Sequence, residues 1–173
     1  MRKKIIGFAL STLLLALSFS VEAQQAIFLV RHAETVAPKG TTLRPLSEAG
    51  QRRAALLGMI LKDAGINAIF TSDLERTVKT AEPLAKLLRI EPKALEQLTT
   101  QFKQNDIDAF VALLRSEHRR DIVLVVGHAN SVPALLKALG HSLEGDIPET
   151  EFDNLFVLIP MSEGPPKLLR LRF

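Results

Sequence analysis

Two apolar runs, Ala26-Ile-Phe-Leu-Val30 and Ile122-Val-Leu-Val-Val126, constrain the fold of this chain more than any other feature. Neither is interrupted by a polar residue. A strand of that kind needs cover on both faces, as the central strands of a mainly parallel sheet have. Each run ends abruptly in polar chemistry, Arg31-His32 after the first and Gly127-His128 after the second. In open α/β sheets ligands bind in the crevice outside the carboxyl ends of the strands, which is where these side chains fall.

The segments around the runs alternate in type. Ser47 reads as the N-cap of a helix from about Glu48 to Asp63, with Ala54, Leu57 and Leu61 on its buried face and Gly65 as its stop. Asn67 to Thr71 is a short second strand. From Ser72-Asp73 onward, Leu74, Val78, Ala81, Leu84, Ala85 and Leu88 repeat at helical spacing. Glu91 to Thr100 is irregular, Ile107, Phe110, Val111 and Leu114 mark a third helix, and Ser131 or Asn130 caps a fourth with Pro133 in its first turn. Leu155 to Pro160 and Lys167 to Arg172 read as a hairpin at the sheet edge. Strands alternating with helices predict an α/β fold, a three-layer α/β/α sandwich with a mainly parallel central sheet and an antiparallel edge.

The first residues stand apart. Arg2, Lys3 and Lys4 precede an apolar run from Ile5 to about Ser20, followed by Val21-Glu22-Ala23. Residues 1–23 are expected to be a secretory signal peptide cleaved after Ala23, leaving a single domain at 24–173. The alternative is an uncleaved anchor, because the run is only a little short of the roughly 20 residues a spanning helix needs. Removing the leader's three basic residues and Glu22 takes the formal charge from +3 to +1. A nucleic-acid or membrane-surface partner then loses its main support, so neither is expected after cleavage. The chain has no cysteine, which excludes a disulfide framework, a lipoprotein anchor and any thiolate metal site. No histidine pair has i, i+4 ligand spacing, so no metal and no cofactor are expected.

Arg76 falls in the first turn of the second helix, where a cation opposes the helix dipole. An anion lodged between the two would reconcile that conflict. If the three strands are neighbours, Arg31, His32, Arg76 and His128 converge at one lip. Two guanidinium forks suit the oxygens of a phosphoryl group, which accepts them bidentately. The bland alternatives are arginines paired with carboxylates and histidines satisfied at strand ends. His118 and His141 lie beside helix ends, where structural roles are expected.

Four blocks in order carry a resemblance: Leu29-Val-Arg-His-Ala-Glu-Thr35, Pro45-Leu-Ser-Glu-Ala-Gly50, Phe70-Thr-Ser-Asp-Leu-Glu-Arg-Thr-Val-Lys-Thr-Ala81 and Val125-Val-Gly-His-Ala129. The chain resembles the histidine phosphatase superfamily, also called phosphoglycerate mutase-like, in the form of a small exported bacterial member. The resemblance implies that His32 is the nucleophile that takes the phosphoryl group, that Arg31 and Arg76 clamp its oxygens, and that His128 donates to it. A neutral imidazole can attack phosphorus in line, and splitting hydrolysis into transfer and dephosphorylation replaces one hard step with two easier ones. One histidine must be neutral and the other is useful protonated, so their environments are expected to push their pKa values apart.

The resemblance also implies a carboxylic acid that protonates the leaving group. Glu96 is the best-placed candidate, with Glu34 and Glu151 as substitutes, and Thr35 and Ser72 as possible further phosphate donors or simple turn residues. Ala33 replaces the commoner glycine after the nucleophile, and no aspartate follows His128, which argues against phytase-like chemistry. The expected function is a metal-independent phosphomonoester hydrolase in the bacterial periplasm acting on a small phosphorylated substrate through phosphohistidine at His32. Rival readings are a phosphatase of lipopolysaccharide core sugar phosphates, a phosphohistidine phosphatase and a non-catalytic phosphate-binding module. The sequence sets neither the substrate nor the oligomeric state.

Overall fold

The computed structural model describes residues 26–36, 43–143, 145–161 and 163–173. The expected leader, 1–23, lies outside them, as do residues 37–42 of the loop after the first strand. The described strands are β1 (Ile27–Arg31), β2 (Ala68–Thr71), β3 (Lys93–Ala94), β4 (Val123–Gly127), β5 (Asn154–Ile159) and β6 (Lys167–Arg172). The helices are α1 (Glu48–Leu61), α2 (Glu75–Leu88), α3 (Gln104–Ser116) and α4 (Ser131–Ala138).

The strands form one sheet in the order β3-β2-β4-β1-β5-β6. β1 to β4 run parallel across the first three pairings, whereas β5 lies antiparallel to β1, and β6 antiparallel to β5. The expected architecture is therefore present, including the antiparallel edge. Side chains alternate between two cores. Leu29, Phe70, Val125 and Phe156 pack with α3 and α4 through Ile107, Phe110 and Leu135. Val30, Ile69, Leu124, Val126 and Leu155 pack with α1 and α2 through Leu57, Leu61 and Leu84. Burial on both faces is why the central strands read as unbroken apolar runs.

The parallel register aligns the strand ends, with Arg31 opposite Gly127 and Thr71 opposite Val126. His32 continues the ladder one residue further, its N–H donating to the Gly127 carbonyl at 2.9 Å. His32, Ser72 and His128 thus leave the sheet at one level. Ser47 caps α1 as expected, its hydroxyl accepting the Gly50 N–H at 3.1 Å. The helix ends two residues before Asp63 and turns at Gly65, whose φ of +73° suits glycine.

Three local expectations are corrected. α2 starts at Glu75 and not at Ser72-Asp73, because the Ser72 hydroxyl accepts the Leu74 N–H and bonds the Thr77 hydroxyl in a turn that precedes the helix. Asn130 stands at the N-cap of α4 as expected, but neither its side chain nor that of Ser131 makes the capping bond. Ser131 Oγ instead accepts the His128 N–H at 2.9 Å, and Asn130 Nδ2 donates to the Thr100 carbonyl at 2.9 Å. The stretch from Glu91 to Thr100 contains β3 and a 3-10 turn, Glu96–Leu98, where an irregular segment was expected. Two exposed residues leave no periodicity to read.

Candidate active site

At the carboxyl lip of β1, β2 and β4 lies a cleft of about 510 Å³. Arg31 and His32 come from the end of β1, Arg76 from the first turn of α2, and His128 from the residue after β4. All four expected residues line it. Thr35, Arg44, Asp146, Glu149 and Phe152 complete much of the wall.

His32 is buried, and its Nδ1 lies 2.8 Å from the carbonyl oxygen of Ala33. A carbonyl only accepts, so Nδ1 carries the proton and Nε2 keeps its lone pair. Ala33 has an ordinary backbone conformation, because Arg89 is the one non-glycine residue with positive φ among those described. The residue is fixed from the side as well. Its N–H donates to Thr80 Oγ1 at 2.9 Å, and Thr80 in turn donates to the Arg76 carbonyl at 2.7 Å. One hydroxyl thus ties the loop after β1 to the turn that carries Arg76.

Burial, reinforced by the nearby charges of Arg76 and Arg31, outweighs the Ala33 bond and pushes His32 down to about 4. His128 is pushed down to about 3 by burial, then by Arg76, His32 and Arg31. Its Nε2 lies 3.0 Å from Ser72 Oγ, while its Nδ1 has no partner. The two rings meet edge to face with centroids 5.4 Å apart. The expectation that the two pKa values are pushed apart therefore fails: both rings are desolvated beside the same two cations, and both are neutral at pH 7.

Arg31 is 5% exposed and densely held. Its Nη1 donates to the carbonyls of Pro148 at 2.9 Å and Glu151 at 3.2 Å, its Nη2 to the Glu149 carboxylate at 2.5 Å, and Phe152 lies 4.1 Å from its guanidinium carbon. Its Nε is buried with no partner. Burial and the charges of Arg44 and Arg31 push the Arg76 guanidinium down from its ordinary value. Neither Arg44 nor Arg76 makes an ion pair with a described residue. Uncompensated cations and buried unpaired donors around a neutral imidazole form a receptor for a multiply charged oxyanion.

The carboxylates fall differently from expectation. Glu96 is exposed on the 3-10 turn and does not line the cleft. Glu34 faces away to Arg53, whose Nε and Nη2 bind it at 2.9 and 2.7 Å. Burial works to raise the Glu34 carboxyl, but these bonds and the Arg53 charge outweigh it and hold it below its ordinary value. The Glu151 carboxylate is taken by Asn154, Arg170 and Arg172. Glu149 and Asp146 are the acids in the cleft, and neither carries a sequence signal. Arg44 does carry one, as the cation immediately before Pro45-Leu-Ser. His118 is structural: it bonds Asp121 at 2.6 Å and packs edge-on to Phe70. Among the described residues, no three His, Cys, Asp or Glu side chains cluster as metal ligands, and no helix is long and apolar enough to cross a membrane.

Residues 27–102 match the family model for the histidine phosphatase superfamily (branch 1). Relatives include the probable phosphoglycerate mutase GpmB of Photorhabdus laumondii subsp. laumondii, 33% identical over 95 residues, which are 50% of this chain and 44% of GpmB. Another is fructose-2,6-bisphosphatase TIGAR B of Danio rerio, 38% identical over 63 residues, 33% of this chain and 24% of that protein. The match thus spans less than half the length of either curated relative. The fold is similar to that of the protein histidine phosphatase SixA complexed with tungstate, with a TM-score of 0.69, 21% identity and coverage of 86% of this chain and 97% of SixA. Another similar fold is that of a mycobacterial glucosyl-3-phosphoglycerate phosphatase, with a TM-score of 0.62, 16% identity and coverage of 84% of this chain and 97% of that one.

Proposed function

We propose that this chain, similar in fold to a protein histidine phosphatase and matching the histidine phosphatase superfamily model over residues 27–102, hydrolyses small phosphomonoesters through a phosphohistidine on His32. The observation that carries this reading is the neutral His32 ring, its Nδ1 committed to Ala33, in a cleft that it shares with Arg31, Arg76 and His128. Nε2 attacks phosphorus as the bond to the ester oxygen breaks. Arg31 and Arg76 hold the equatorial oxygens, where charge spreads in a loose transition state. His128 is neutral beside the two cations and takes a proton as the phosphoryl charge offsets them, so that it donates to the same group. Water then attacks the phosphohistidine and releases phosphate.

The test is p-nitrophenyl phosphate turnover with and without EDTA. Turnover that survives the chelator, is lost by at least about 10³-fold in His32→Ala, and passes through an acid-labile phosphoprotein supports the reading. Normal turnover by His32→Ala would end it. Phosphate binding with no turnover in the wild type would instead favour the non-catalytic module.

A second reading, phosphohistidine hydrolysis, draws support from Glu96 standing outside the cleft, since a phosphoramidate offers a better leaving group than an alcohol. SixA, with its similar fold, is named a protein histidine phosphatase. Periplasmic action belongs to the same proposal and rests on the leader-like residues 1–23; mature protein from a cell envelope fraction should begin at Gln24. Lipopolysaccharide core sugar phosphates are one substrate class within reach of that location, and unchanged core phosphate in a deletion strain would remove them.

A further inference from the structure

Arg31 holds a carboxylate where an oxyanion would bind. Nε and Nη2 of an arginine lie along one edge and donate in parallel, the arrangement that grips two oxygens at once. In this chain that edge is half occupied: Glu149 sits on Nη2 at 2.5 Å, and Nε is buried and unpaired. The Glu149 side chain is itself 85% exposed, so its bond is screened by water and easily exchanged. Its charge is also felt at His32 and Arg76.

The position of the loop does not depend on this carboxylate. Arg31 Nη1 holds the carbonyls of Pro148 and Glu151, Ile147 N–H bonds the Ala129 carbonyl at 3.0 Å, and Phe152 packs against the guanidinium. Main-chain and ring contacts fix the segment, and Glu149 is left free to exchange partners.

We propose that Glu149 is the acid that protonates the leaving oxygen, displaced from Arg31 by the incoming phosphoryl group and left beside it. This rests on the phosphomonoesterase reading above and names the proton donor of that site. Two anions side by side repel unless a proton lies between them, and a substrate that enters as its monoanion brings that proton to Glu149. As the bond from His32 Nε2 to phosphorus forms, the electron pair of the breaking P–O bond goes to the ester oxygen, which takes the Glu149 proton and departs as the alcohol. Glu149, now ionised, accepts a proton from the water that attacks the phosphohistidine. The N–P electron pair returns to Nε2, and phosphate leaves.

The test compares wild type, Glu149→Gln and Asp146→Asn on glycerol 2-phosphate and p-nitrophenyl phosphate, with inorganic phosphate affinity measured by calorimetry. Glu149→Gln should lose about 10²-fold or more in kcat on the alkyl ester and only a few-fold on the aryl ester. It should also bind phosphate more tightly than wild type, because the competing internal anion is gone. Asp146→Asn should leave the ratio between the two esters unchanged. Equal losses on both esters, unchanged phosphate affinity in Glu149→Gln, or the leaving-group effect appearing in Asp146→Asn would each overturn the assignment of Glu149 while the phosphatase stands. A wild type inactive on both esters would overturn the phosphatase reading, and the donor assignment with it.

Discussion

The Ala33 carbonyl decides which nitrogen of His32 keeps its lone pair, and burial decides down to what pH. With the ring pushed down to about 4, Nε2 keeps its lone pair through the whole neutral range. The acid limb of kcat/KM, which reports the free protein, should therefore lie near pH 4 once corrected for substrate ionisation; a limb near the ordinary histidine value would show that the ring is not held neutral. The same shift bears on stability. Between the ordinary value of 6.5 and the lowered values of His32 and His128, the unfolded chain binds protons that the folded chain refuses. Stability thus falls as pH drops from about 6.5 toward 4, by an amount on the order of several kcal/mol. Urea midpoints at pH 7 and pH 5 should differ accordingly, and His32→Asn should roughly halve the slope. An unchanged slope would mean that His32 is solvated.

At the scale of the elements, the block Pro45-Leu-Ser-Glu-Ala-Gly50 acquires a physical reason. The entry of α1 is laced to the loop after β1: Ser47 N–H bonds the Glu34 carbonyl at 2.9 Å, Val36 N–H bonds the Pro45 carbonyl at 3.0 Å, and Thr35 bridges Leu46. A Cβ on Gly50 would stand 2.1 Å from the Glu34 carbonyl oxygen. Gly50→Ala must push helix and loop apart and should cost about 3 kcal/mol, read as a lower urea midpoint. A neutral effect would mean that the two segments do not approach this closely. The Thr80 tie to α2 separates positioning from folding. Thr80→Val leaves the buried Ala33 N–H unpaired, at about 1–3 kcal/mol, and lets the loop shift relative to Arg76. Activity should fall about tenfold or more under conditions where the variant is fully folded, and Thr80→Ser, which restores the hydroxyl, should recover it. No recovery would show that packing, not the hydrogen bond, is what matters.

Across the whole molecule, the sheet and the meeting of Arg31, His32, Arg76 and His128 in one cleft were legible because both depend on short-range pattern. Unbroken apolar runs report burial on two faces, and the residues directly after parallel strands must share a lip once the strands are neighbours. The acid proposed above, Glu149, was not legible. Glu149 reaches Arg31 across 118 positions of chain, and that contact is set by how an irregular segment lies on Phe152 and Ala129, for which a sequence offers no period. Glu96 lies near the site in the chain sequence but outside the cleft in space. The completed site concentrates Arg31, Arg44 and Arg76 around two neutral rings, with one exposed carboxylate paired to any of the three arginines. Such a site is electrostatically incomplete without an anion, so phosphate binding should stabilise the entire fold. Phosphate at about 100 times its Kd contributes about 2.7 kcal/mol, which for a chain of this size raises Tm by roughly 5–10 °C. Chloride at equal ionic strength should give a much smaller shift, since screening alone does not supply oxygens to buried Nε and Nη donors. Arg76→Gln should abolish most of the phosphate response. A phosphate response no larger than that of chloride would mean that the three arginines do not act as one receptor.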